Sequence, residues 1–264
     1  MFFALLASAS SLLVKEPVDQ KMTDFQTLDL GTVGPGQKLE VISERPGGEP
    51  SKNVAQGNSE ALWDVLKVEQ TPEAWKGEAS KLYESPMKAF VTLPENAPEG
   101  QQAFMLKAID EYDGLQPLVV KATVKVSYDM LDAQVENPKL TAGVNQPAVY
   151  YIKLKNKSSA SDVFEITAKG LPSQWKYSKR VFVRHNSEET VPYEVVGTEQ
   201  GDYSVELSVK SLSSNLIAAK QNVQLSTRSS ISLDMQAASH GVLLFPTVEQ
   251  TVYSLLALLS FVVR

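Results

Sequence analysis

The sequence repeats itself at the spacing of one small domain. Pro72-Glu73-Ala74-Trp75-Lys76 returns 100 residues later as Pro172-Ser173-Gln174-Trp175-Lys176. Glu99-Gly100, followed by Gln101-Gln102-Ala103-Phe104-Met105-Leu106, returns 101 residues later as Gln200-Gly201, followed by Asp202-Tyr203-Ser204-Val205-Glu206-Leu207. An alternating apolar run then follows each copy, Val120-Ala122-Val124-Val126 in the first and residues 218–225 in the second. One PxxWK match alone is weak, but three features in one order at nearly one offset mark a duplicated unit. A period this long is a domain and not a solenoid repeat.

Within each copy the local signal is β. In the second copy Tyr150-Ile152-Leu154, Val163-Phe164-Ile166, Val181-Val183, Val191-Tyr193-Val195 and Tyr203-Val205-Leu207-Val209 place apolar residues two apart, between clusters of Asn, Ser, Gly and Pro. Period-2 runs half-bury a strand, and their close spacing without any long 3.6-residue periodicity predicts an all-β, two-sheet antiparallel sandwich of about seven strands. In the first copy strands are expected at residues 38–42, 62–69, 88–93, 103–109 and 118–127. Residues 47–60 (GGEPSKNVAQGNSE) are polar and rich in turn formers, and read as a long loop.

The ends are apolar. Residues 2–14 (FFALLASASSLLV) span roughly 20 Å as a helix, short of a bilayer's ~30 Å, and read as the core of a secretory signal with Ala7-Ser8-Ala9 as its small-residue cleavage site. The competing reading is an ordinary amphipathic or disordered N-terminus, since no positive residue precedes the run. Residues 242–263 carry one charge, Glu249, and would reach about 33 Å as a helix, enough to cross a bilayer, with Arg264 holding the C-terminus inside. A buried core element, or a glycolipid-anchor signal beginning near Ser229-Ser230, would explain the same residues. The expected division is therefore a signal-like 1–20, a first sandwich at 21–127, a second at 128–227 with 128–136 as the link, a spacer at 228–241 and a transmembrane anchor at 242–264.

Composition closes off several function classes. The net charge of −6 supplies no basic field for nucleic acid. The absence of Cys and the presence of only two His remove disulfides, thiolate chemistry and the usual zinc sites. His185 and His240 read as surface groups, no serine-hydrolase motif accompanies them, and nothing singles out a carboxylate pair among the 31 acids. Asp110-Glu111-Tyr112-Asp113-Gly114 could hold a hard cation, but it reads more simply as a solvated turn, since the second copy has no acid there. No catalytic, cofactor or metal residues are therefore assigned. Trp75 and Trp175, duplicated at one place, read as core. Trp63 has no counterpart and flanks the long loop, so it is the candidate partner contact. Asn156-Lys157-Ser158 is the one glycosylation sequon, with Asn156 as its acceptor if the body is exported.

The pattern Gly170-Leu171-Pro172-x-x-Trp175, followed by Gly201-Asp202-Tyr203-Ser204-Val205, resembles the immunoglobulin-like domains of the NEW3 group found with secreted glycosidases and archaeal or bacterial surface proteins. The likeness covers residues 133–227 well and 27–127 more loosely. Asp29-Leu30-Gly31-Thr32-Val33-Gly34-Pro35-Gly36-Gln37 likewise resembles the opening of domains in membrane-anchored archaeal surface proteins. The resemblance implies two tandem immunoglobulin-like antiparallel β-sandwiches, used as spacer, accessory or adhesion modules without catalytic residues or cofactors. The function expected is that of a non-catalytic, single-pass, extracytoplasmic protein of the cell membrane that acts as a structural, adhesion or protein-interaction module. Its partners would be membrane lipid through the C-terminal helix and an envelope protein or glycan outside. The alternative is an accessory carbohydrate-binding or substrate-presenting subunit of a membrane-bound enzyme complex.

Overall fold

The computed structural model describes residues 11–45, 63–111, 116–171 and 177–230. Among these residues every regular element is a β-strand, and the strands form two sandwiches.

The first sandwich contains β1 (Ser11–Glu16), β2 (Gln20–Thr23), β3 (Thr27–Val33), β4 (Lys38–Glu44), β5 (Val65–Glu69), β6 (Lys76–Glu78), β7 (Met87–Thr92), β8 (Gly100–Ile109) and β9 (Leu118–Val126). One sheet runs β2-β1-β4-β7-β6 and the other β3-β9-β8-β5. The second sandwich contains β10 (Leu131–Val135), β11 (Lys139–Gly143), β12 (Pro147–Asn156), β13 (Asp162–Lys169), β14 (Ser178–Val183), β15 (Glu188–Val196), β16 (Gly201–Ser211) and β17 (Ala218–Arg228). Its sheets run β10-β12-β15 and β11-β17-β16-β13-β14.

The two units share one wiring. An opening strand pairs antiparallel in the first sheet (β1 with β4, β10 with β12). The chain then crosses to lie parallel against the last strand of the second sheet (β3 with β9, β11 with β17). This is the immunoglobulin-like β-sandwich, and it is built twice. The copies differ at two strands: β2, paired to β1, has no counterpart in the second unit, and β6 pairs with β7 in the first sheet whereas its counterpart β14 pairs with β13 in the other. Alternation drives the burial: Leu39 and Val41 on β4, and Phe104, Leu106 and Ala108 on β8, point into one core, while Tyr150, Ile152 and Leu154 on β12 fill the other.

Two boundaries differ from the expected ones by more than a residue. Ser11–Glu16 belongs to the first sandwich, with Leu12 and Val14 fully buried between its sheets. The first sandwich therefore takes in residues 11–20, ahead of the expected start at 21, because the final residues of the apolar N-terminal run are a strand of the core. Residues 1–10 lie outside the described residues. The stretch 128–136 is not a bare link, since Leu131–Val135 forms β10 and pairs in register with β12. The second sandwich thus has eight strands where about seven were expected. Of the spacer expected at 228–241, Arg228 belongs to β17; residues 231–241 and the anchor expected at 242–264 lie outside the described residues, and no helix among the described residues is long and apolar enough to cross a membrane.

Candidate functional site: the junction between the sandwiches

The most elaborated polar site lies where the two sandwiches meet. From the first come the β3–β4 turn (residues 34–37) and the β7–β8 connection (93–99). From the second come the β12–β13 loop (157–161) and the β16–β17 loop (212–217). A bulge in β3 between Asp29 and Thr32, with Gly31 at φ +84°, aims the Thr32 carbonyl across the boundary, where it accepts the Ser159 amide at 2.7 Å. A side chain at Gly31 would displace the Ser159 hydroxyl, and the left-handed backbone there favours glycine. Gly36, at φ +71°, approaches the Ser213 carbonyl in the same way. Ala160 of the second sandwich packs within the core cluster of the first.

At the centre is a closed hydrogen-bond network. Gln37 is fully buried; its Oε1 accepts the Gly34 amide at 2.7 Å and the Ser158 hydroxyl at 2.6 Å, while its Nε2 donates to Asp162 Oδ2 at 2.8 Å. Asp162, also buried, accepts three more donors: Ser211 Oγ at 2.7 Å, Ser213 Oγ at 2.8 Å and the Val163 amide at 2.7 Å. A buried carboxylate is tolerated only when its oxygens are saturated with donors, and here they are. At the rim Ser214 Oγ donates to the Glu95 carbonyl at 3.0 Å, and Lys157 pairs with Asp129. The network is made of amide, hydroxyl and carboxylate groups. Hydroxyls bound to a carboxylate without an imidazole or amine between them make no activated nucleophile, so this arrangement holds and does not react.

Two residues singled out in the sequence have other roles. Trp63 is fully buried, and its Nε1 donates to the Ser11 carbonyl at 2.9 Å, so it closes the core against β1 and offers no surface to a partner. Arg45 holds it there by donating to the carbonyls of Trp63, Glu84 and Asp64. Burial lowers the Arg45 pKa and nearby Asp64 opposes that shift. Asn156 is likewise fully buried. Its Nδ2, the atom a glycan would occupy, donates to the carbonyls of Ala160, Val183 and Arg184, while its Oδ1 accepts the Ser158 amide, so the sequon is the frame of the β12–β13 loop and not a glycan site. Trp75 joins the first core as expected. Trp175, His240 and the centre of the acidic loop at 112–115 lie outside the described residues. His185 is half-buried in the β14–β15 turn, with its amide on Ser161 Oγ. Among the described residues no group of three acids or His could hold a metal ion. The exposed aromatics Phe25, Tyr128, Tyr151, Tyr177 and Phe182 are spread over both sandwiches, and Tyr177 stands against the buried Tyr193 at a ring distance of 5.4 Å.

Sequence reasoning did not find the junction network. The available signal was the pair of serine-rich loops in the second copy, Ser158-Ser159-Ala160-Ser161 and Ser211-Leu212-Ser213-Ser214, which have no equal in the first.

No protein-family model and no curated protein matches the sequence. Solved structures with similar chains include the fibronectin(III)-like modules of Clostridium thermocellum CbhA, at 10% identity over 82% of this chain and 94% of that one, with a TM-score of 0.28. A chimeric titin Z1Z2 matches at 10% identity over 84% and 100% of the two chains, with a TM-score of 0.38. The CARDB domain of a Pyrococcus furiosus protein, in complex with di-metal ions, matches at 19% identity over 37% and 87%, with a TM-score of 0.29. The fold assignment rests on the strand order and pairing of the chain itself, which is that of two immunoglobulin-like β-sandwiches.

Proposed function

We propose that this chain is a non-catalytic, two-module structural and interaction protein, held at a membrane by residues 242–264 with its sandwiches outside. The observation that carries this reading is the polarity of the tandem. The ends of β4 and β8 (Glu44, Ile109) and the starts of β5 and β9 (Val65, Leu118) lie at the pole of the first sandwich away from the junction. β17 runs from the junction to Arg228 at the opposite pole of the second sandwich, where Val144 N bonds Arg228 O. A tail leaving after Ser230 thus departs from the end farthest from that outer pole, as presenting that pole away from a bilayer requires. The buried junction supports the same reading by joining two sandwiches into one presenting body. An export signal confined to the residues before Ser11, and membership of the NEW3 type, are part of this proposal.

The test compares the full chain in cells with a chain truncated after Ser230. The proposal expects the full chain in the membrane fraction, cleaved by protease added outside, and the truncated chain released. A full chain found in the soluble cytoplasmic fraction would overturn it.

A further inference from the structure

The outer edge of β14 differs from those of β5, β10 and β15. Ser80 bonds both the amide and the carbonyl of Leu66 on β5, Gln221 donates to the Ala133 carbonyl on β10, and Pro192 has no amide hydrogen to offer on β15. Short length, prolines, charged side chains and side-chain caps are the usual ways an edge is kept from pairing with another chain. Along Ser178–Val183 β14 has no proline and no cap; its charges are Lys179, whose Nζ turns away to the Pro192 carbonyl, and Arg180. It pairs with β13 in unbroken register and contains no Pro or Gly, and among the described residues no strand pairs with its other side. Every second residue therefore presents backbone groups outward.

The face beside this edge has a definite chemistry. Phe182 is 60% exposed and lies in register with Val163 on β13, whose carbonyl accepts the amide of Leu212, itself 50% exposed. The three form an apolar row leading from the edge to the junction. Next to it Glu165 is flanked in register by Lys210 on one side and by Arg180 on the other. The Arg180 Nε donates to the Glu165 carboxylate at 3.2 Å, so an incoming carboxylate meets Lys210 directly and shares Arg180 with Glu165. Arg184 follows at the strand end, paired only distantly with Glu16 at 3.7 Å. On a chain of net charge −6 this patch is net positive.

We propose that β14 is a docking edge for an extended, acidic segment of another protein, taken up by strand addition. Main-chain bonds along the edge supply affinity, and alternate side chains of the incoming strand place an apolar residue on Phe182 and a carboxylate on Arg180 and Lys210. An acidic segment fits better than a second copy of this chain, because two net-positive β14 faces side by side set like charge beside like charge. The site is argued from the second sandwich alone and does not depend on where the chain resides.

The test uses the full chain in detergent micelles and two fluorescein-labelled nine-residue peptides, one alternating Glu with Val and one alternating Lys with Val. Binding is read by anisotropy and located by hydrogen exchange. The expected result is that the Glu peptide binds at least about tenfold more tightly than the Lys peptide and slows exchange in β14. Arg180→Glu should reverse this preference, and Phe182→Ser should weaken the Glu peptide by about tenfold, with protection in β13 and β16 unchanged in both variants. Equal binding of the two peptides, no binding, or protection confined to another strand would each overturn the proposal.

Discussion

The junction's role in coupling the sandwiches can be measured by replacing Gln37 with Ala. The substitution removes two neutral bonds, from the Gly34 amide and the Ser158 hydroxyl, and one charge-assisted bond to Asp162. At about 1 kcal/mol for each neutral bond and about 2 for the charged one, the gross loss is about 4 kcal/mol. Water entering the space left by the amide re-satisfies part of this, so the net loss should be about 3 kcal/mol. The Gly34 bond is internal to the first sandwich, so about 2 kcal/mol of the total is coupling between units. Urea unfolding followed by tryptophan fluorescence weights the first sandwich, which holds Trp63 and Trp75 of the three tryptophans, whereas far-ultraviolet circular dichroism reports both units. The two probes should give one coincident transition in the native chain and two separated transitions in Gln37→Ala. Coincident transitions in the variant, with a loss under about 1 kcal/mol, would refute the claim that this network couples the sandwiches.

Other substitutions test particular contacts. Trp63→Ala should cost about 3 to 5 kcal/mol by chemical denaturation, and Trp63→Phe about 1 to 2 through the orphaned Ser11 carbonyl; a neutral Trp63→Ala would restore the surface role read from the sequence. Gly36→Ala combines a left-handed backbone with overlap on the Ser213 carbonyl, and should lower stability by more than about 2 kcal/mol in the same urea assay; a loss near zero would mean the junction opens at no cost. Burial pushes the phenols of Tyr150 and Tyr193 up to about 12, with Tyr177 adding to the shift at Tyr193. A raised pKa means that the folded state favours the neutral form, so this contribution is complete below the ordinary value of about 10 and is lost as pH rises toward 12. Ultraviolet titration should show two late phenolates that ionise together with unfolding, and ionisation of all nine tyrosines near 10 in the folded chain would contradict this.

What could be read from the sequence divides by range. The strands β12, β13, β15, β16 and β17 announce themselves, because each buries alternate residues over a long run and period 2 is a local signal. β6 is three exposed residues, and nothing in Lys76-Gly77-Glu78 signals a strand. β1 was read as part of a signal because an apolar run near a chain start looks the same whether it enters a translocon or a core. Trp63 was misassigned because it lacks a counterpart in the second copy. Its partner Ser11 lies 52 residues away, and a lone tryptophan carries no mark of what its indole will meet. Asn156 fits a sequon and a loop frame equally well, and only burial separates them. The junction was least legible of all, since Gln37 and Asp162 are common residues 125 positions apart and the network exists only once two folded units meet.

The parallel pairing that closes each sandwich also decides how the chain answers tension. In the second unit Lys139–Gly143 lies in register with residues 224–228 and both strands run away from the junction. Traction applied through the first sandwich and through the C-terminal tail draws β11 upward and β17 downward along one another. The ladder bonds run across the strands, so they lie across that load and share it, instead of opening one after another as in a peeled hairpin. β3 and β9 repeat the geometry in the first unit. Stretched end to end, the tandem is loaded in shear at two places in series, and resistance to extension is set by those two short ladders.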